Sequence, residues 1–430
     1  MKKLTFKANW LKGILDDPRE AATFAALGIS VDDDFLTRVY DHRSGGDRET
    51  IQVPISPLAL GLVENWWALL YEARKSIPDP DFEARHRLDL YMKGYLFPPI
   101  SIWSGGEESL MVETPPIELP RRLSQVELWN RPLQKPDFVV RRETENELFD
   151  LVQMAAARLE ECSVEYPELT DALSRICSSM TDPEEHDYCV KAGQLGLDPY
   201  DPDSPDLSIL AKGISSDLFG DICEAAAADE LPETTQWIRA AEHRLKELPT
   251  IPVSNFGAPP PTDLSLKPWD EGYNAAEHLR SRLGLEHDDP RLVIRRLFGD
   301  ILENETLALP DGPSSIDALA RRVNGTIQGA LLKVHPRQRR FHGCRFLYLG
   351  WRSTDGQKSA ATAAATRKQQ ASRAFAAELI APHRLLQERA GRFGLTTEDI
   401  NKIAEEFTCP EWVIEHQAQN HGIRIRGISS

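Results

Sequence analysis

The spacing of apolar residues changes partway along this chain, and the change rules out one repeated architecture. Near the start Leu4, Phe6, Ala8 and Trp10 alternate, as do Ile51, Val53 and Ile55. A period of two marks a strand with one buried face. From about residue 143 the interval lengthens. Leu148, Leu151, Val152, Met154, Ala155 and Leu159 recur at helical spacing, and Ile209, Ile214, Leu218, Ile222 and Trp237 continue it. The chain is therefore expected to be a multidomain α+β protein with a β-rich beginning and a helical middle.

Residues 1–120 read as one β-rich α+β domain. A third strand is expected at Leu36–Tyr40, and others over 87–92, 100–103 and 109–114, with Gly105 and Gly106 at a hairpin. Ser56 and Pro57 open a helix, Ser as cap and Pro at the first helical position. Its broad apolar face, from Leu58 to Leu70, is expected to lie under the sheet. Residues 140–250 read as an acidic helical domain. Within it, the carboxylates at 198, 201, 203 and 206 form an acidic turn without the spacing of a calcium loop. Residues 251–264, with Gly257-Ala-Pro-Pro-Pro261, read as a proline-rich linker. Residues 265–430 form the last domain. There 319–332 is expected to hold edge strands and the alanine run 360–365 a mobile or helical loop.

Composition narrows the class. With 430 residues the chain has room for two to four domains with sizeable cores. No apolar run reaches the length of a membrane span, and Lys7 interrupts any signal-peptide core. The six cysteines are scattered without a C-x-x-C pair, the pattern of reduced thiols in a cytoplasmic protein. From Ala330 onward there are 16 Lys plus Arg against 9 Asp plus Glu, a net of +7, whereas the whole chain carries −17. Residues 1–329 therefore carry −24. A basic end on an acidic chain suits internal complementarity, an acidic partner or a nucleic acid.

Two landmarks lie in the last domain. One is Arg337-Gln-Arg-Arg-Phe341, and the other is RKQQASRAFAAELIAP over residues 367–382. Together they resemble the ImmA/IrrE family of bacterial zinc peptidases. That family carries an H-E-x-x-H helix just after the upstream R-F, and an acidic third ligand just before A-N-x-F-A. The resemblance covers roughly 265–425 and implies a zincin-like α+β domain. It also implies that the FAAEL helix packs against the metal helix, and size alone gives Ala374, Ala376 and Ala377 that role. In this register Arg345 and Leu349 stand at the histidine positions and Phe346 at the glutamate position. Lys368 and Gln370 stand where the third ligand is expected. Arginine has no lone pair to offer, and Leu and Phe have no donor atom. No catalytic residue, metal or cofactor is expected, and Glu378 reads as structural or solvated.

The resemblance then implies a noncatalytic regulatory protein of bacterial stress, mobile-element or phage-defence circuits, whose partner is a regulatory protein or repressor. Two alternatives stay open. One is an active metallopeptidase with a site rebuilt from His335, His342, Cys344 and His383. The other is a nucleic-acid-binding regulator using Arg337, Arg339, Arg340, Arg345 and Arg352. Beyond these, Thr408-Cys-Pro-Glu411 reads as a capping box opening the last helix. That helix carries Glu411 and Glu415 where a DNA-reading helix would meet phosphate.

Overall fold

A computed structural model describes residues 2–42, 44–75, 80–106, 108–115, 126–128, 136–245, 250–285, 289–303, 312–332 and 335–426. The chain is α+β, with several small sheets among many helices, and divides into two compact units, Met1–Ser208 and Ile209–Ser430. The helices expected as a middle domain over 140–250 fall on both sides of that division. Among the described residues no helix is long and apolar enough to cross a membrane.

In the first unit the alternating N-terminal residues form strand Leu4–Trp10, antiparallel to Phe24–Val31, with Leu4 opposite Val31 and Trp10 opposite Ala25. The other edge of Phe24–Val31 is shared by Ile51–Pro54 and the short Asp34–Phe35. Leu27, Ile29, Leu58, Leu62, Trp66, Leu148 and Val152 belong to one buried cluster that joins this sheet to helices Ser56–Glu64, Trp66–Tyr71 and Arg141–Glu161. The helix expected at Ser56-Pro57 is present, but Ile55 holds the cap position. Instead of capping, Ser56 donates its backbone N–H to Thr23 Oγ1 at 3.0 Å. Strands Ser101–Ser104 and Ser109–Glu113 pair through the Gly105-Gly106 turn, and Asp137–Val140 joins the free edge of Ser109–Glu113.

Two expected strands take other forms. The stretch 36–40 is broken at Thr37, whose hydroxyl accepts from Ile29 N at 3.0 Å and donates to Glu49 O at 2.8 Å. Val39–Asp41 resumes in a different sheet. Residues 87–92 form a 3₁₀ turn, Leu88–Leu90, with only an isolated bridge from Arg87 to Ser101. Leu88 and Met92 are buried while Leu90 is exposed, which a strand alternating by twos does not allow.

The second unit holds an antiparallel sheet in the order Thr250–Pro252, Thr326–Leu331, Ile316–Val323, Lys358–Thr362. Three expectations are corrected here. The two strands within 316–331 are the central pair rather than edges. The alanine run contributes the outer strand Lys358–Thr362, because side chains this small let polar groups reach the backbone. Ala360 N donates to Asp221 at 2.8 Å and Ala360 O accepts from Gln369 Nε2 at 2.8 Å, so that edge is covered. The proline-rich linker supplies the opposite outer strand, then stays fastened to the unit. Gly257 O accepts from Trp351 Nε1 at 2.8 Å, and Pro260 O from Arg352 at 2.9 Å.

Against this sheet lies the arginine helix, Pro336–Arg352, buried from Phe341 to Trp351. A Cβ at Gly329 would fall 2.5 Å from the Phe346 ring, so glycine is what lets helix and strand meet. The alanine helix, Arg367–Ile380, packs on the arginine helix and on the outer helix, Pro268–Arg282. Gly272 faces Ala371 O and the Ala374 Cβ, so the small faces serve the outer helix as well as the arginine helix. Helix His383–Ala390 follows, then Thr397–Phe407, opened by a capping box of Thr396 and Asp399. The box expected at Thr408 is absent. Thr408 is the left-handed C-cap of that helix (φ 53°), and Pro410 precedes the C-terminal helix, Glu411–Asn420.

Candidate functional site

Arg345, on the buried face of the arginine helix, is 1% exposed. Its guanidinium lies 2.6 Å from Asp317 Oδ2 and donates to Thr362 O at 2.6 Å, Gln369 Oε1 at 2.8 Å and Ser372 Oγ at 3.2 Å. Burial pushes its pKa below the ordinary guanidinium value, against the pull of Asp317. Phe346 packs edge-on to Phe298, and Leu349 is buried. Lys368 pairs with Asp221 at 2.8 Å, and Gln370 donates to Ala365 O at 2.6 Å. All five positions that the resemblance sets at a metal site are therefore buried or held by internal partners.

The arginines expected to bind a nucleic acid have separate partners. Arg337 pairs with Glu411, Arg340 donates to Phe407 O at 3.4 Å, and Arg352 lies 3.3 Å from Glu271. Arg339 is half-buried and Arg345 is internal. The four residues proposed for a rebuilt metal site do not converge either. His335 is exposed at the mouth of the arginine helix. His342 Nδ1 is 3.6 Å from Asp317, and Cys344 is fully buried, where burial drives its thiol far up. His383 belongs to another cluster.

That cluster centres on Glu378, a carboxylate 2% exposed near the end of the alanine helix. The chain turns at Pro382, and the backbone N–H of His383 donates to both oxygens of Glu378, at 3.3 and 3.2 Å. The His383 ring follows it, with Nδ1 2.9 Å from Oε1. From the C-terminal helix Gln417 Nε2 donates to Oε2 at 2.7 Å and to Ala381 O at 3.1 Å. His421, four residues on, places Nε2 3.9 Å from the same Oε2. The two imidazoles stack at 4.3 Å, and Tyr273 of the outer helix lies 4.7 Å from His421. Asn420 donates to the Tyr273 hydroxyl at 3.0 Å.

The electrostatics follow from this packing. The Glu378 hydrogen bond raises the His383 pKa above its ordinary value. Burial and the neighbouring His383 lower that of His421. One ring thus favours its charged form and the other its neutral form, and a neutral imidazole carries a lone pair. Burial pushes Tyr273 up to about 12. Glu378 also lines a cleft of about 400 Å³, together with Glu277, Arg280, Ser281 and Arg384.

Of this cluster the sequence singles out His383, with companions that lie elsewhere, reads Glu378 as structural or solvated, and offers no expectation for Gln417 or His421. The one local signal was the four-residue interval between Gln417 and His421, which puts both on one side of the last helix. Comparison of the chain with protein-family models, curated proteins and solved structures gave no match.

Proposed function

We propose that this chain is a noncatalytic ImmA/IrrE-like regulatory protein, one that binds a regulatory protein or repressor without cleaving it. The circuits this reading points to are those of bacterial stress, mobile elements or phage defence. The resemblance is a fold-level analogy, and function must be argued from the site. The observation that carries the reading is Arg345. In the register of the resemblance it takes the first ligand position, and its guanidinium holds Asp317, Thr362, Gln369 and Ser372 together. A cation tied into the interior in this way excludes a metal ion from its own position. On this reading the helices and sheet packed around Arg345 serve binding rather than chemistry.

The test is incubation of the purified protein with a candidate repressor, with and without a chelator, followed by gel filtration. Co-elution of the two intact chains is the expected result. Cleavage that the chelator stops overturns the reading.

A further inference from the structure

We infer that Glu378, His383 and His421 form a binding site for a divalent transition-metal ion of the zinc type. The inference stands apart from the partner-binding reading, because the cluster shares no residue with the Arg345 network.

One carboxylate and two imidazoles are a donor set that zinc takes, with a fourth position left over. The ligand atoms of the three residues lie within 4.8 Å of one another. They are brought together from the end of one helix, the start of the next and the residue capping a third. A further observation points to a missing partner. His421 Nε2 is a buried atom with no hydrogen-bond partner. Buried polar atoms are nearly always satisfied, and an ion is one reason for an exception. Gln417 Nε2 already holds the Glu378 carboxylate, as the outer partners of metal ligands do.

The donor types choose the ion. Two nitrogens and a carboxylate suit zinc and its neighbours, whereas calcium and magnesium take oxygen shells. Binding exchanges one species for another: the ion takes the lone pair of His383 Nδ1, and the proton shared with Glu378 leaves to solvent. The stacked rings lie within 12° of parallel, and their lone pairs, which lie in the ring planes, do not meet at one point. The His421 ring therefore turns about its Cβ–Cγ bond when the ion enters. Of the three ligands only Glu378 also lines the 400 Å³ cleft.

The test uses the full chain, stripped by chelation and titrated with Zn²⁺ by calorimetry near pH 7. Wild type is compared with His383→Ala, His421→Ala, Gln417→Leu and, as a control, His342→Ala. The expected result is one equivalent per chain. Each histidine variant weakens binding by about 100-fold or more, Gln417→Leu weakens it by about 10-fold, and His342→Ala leaves it unchanged. Circular dichroism checks that each variant folds. Co²⁺ in the wild type gives the strong visible bands of a four-coordinate site, which a merely structural role for these residues would not produce. Absence of stoichiometric binding overturns the inference, as does binding that survives both histidine variants. Zinc lost only in His342→Ala overturns it too, and would place the ion beside Arg345, against the noncatalytic reading instead.

Discussion

Gln369 Oε1 sits between Arg345 Nη2, at 2.8 Å, and the backbone N–H of Thr362, at 3.0 Å. One amide oxygen thereby joins the arginine helix to the outer strand of the sheet. The Arg345 guanidinium is the hub of this polar core, and its loss would strand several groups together.

Arg345→Leu is therefore expected to destabilise the second unit by about 3–5 kcal/mol, because Asp317 is left without its cation. Adding Asp317→Leu to Arg345→Leu should return much of that loss, since removing both charges costs less than removing one. Urea unfolding of the three proteins checks this. Equal stability of Arg345→Leu and wild type would mean that the network holds nothing.

Gly272→Ala sets two effects of opposite sign against each other. Helix propensity alone favours alanine by about 1 kcal/mol. The new Cβ, however, would stand 2.3 Å from Ala371 O, and forcing the two helices apart costs about 1–3 kcal/mol. A net loss in the midpoint of thermal unfolding is expected. A gain would show that the outer helix sits further away.

Thr408 ends its helix at φ 53°, a region that β-branched residues avoid at a cost of about 1–2 kcal/mol. Thr408→Gly removes that strain but adds freedom to the unfolded chain. A net stabilisation of about 1 kcal/mol or less is expected, read as a small rise in Tm.

In the first unit Glu72 is 1% exposed, with Arg85 Nη2 at 2.7 Å and His86 Nε2 at 3.0 Å. Burial pushes its carboxyl up, but the bonds from His86 and Arg85 outweigh burial and hold it below the ordinary 4.5. A lowered folded pKa contributes stability that is complete above the unfolded value and lost as pH falls through the folded one. Acid titration of unfolding should therefore show a loss of stability below about pH 4.5. Glu72→Gln should be less stable at pH 7 and should lose less on acidification. An unchanged slope in that variant would assign the acid sensitivity to other groups.

Legibility in the sequence followed the range of the forces involved. Leu4 to Trp10 could be read because one buried face writes itself locally as alternation, and the Ser56-Pro57 helix because proline declares its own backbone. The strand at 358–362 was hidden, since alanines carry no period and its cover, Asp221 and Gln369, comes from other elements. The 3₁₀ turn at 88–90 copied a strand pattern that only the exposure of Leu90 breaks. The Glu378 cluster was the least visible. Gln417 and His421 reach it from about forty residues away, and no spacing rule links them before the last helix is docked.

Strand Thr250–Pro252 has a consequence for any attempt to divide the molecule. It is the cover of Thr326–Leu331 on that side, although its sequence reads as tether. A fragment cut at residue 265 would keep the helices that follow it yet leave the 326–331 ladder open to another chain. Such a fragment is expected to self-associate, whereas one beginning at residue 209 keeps its own border.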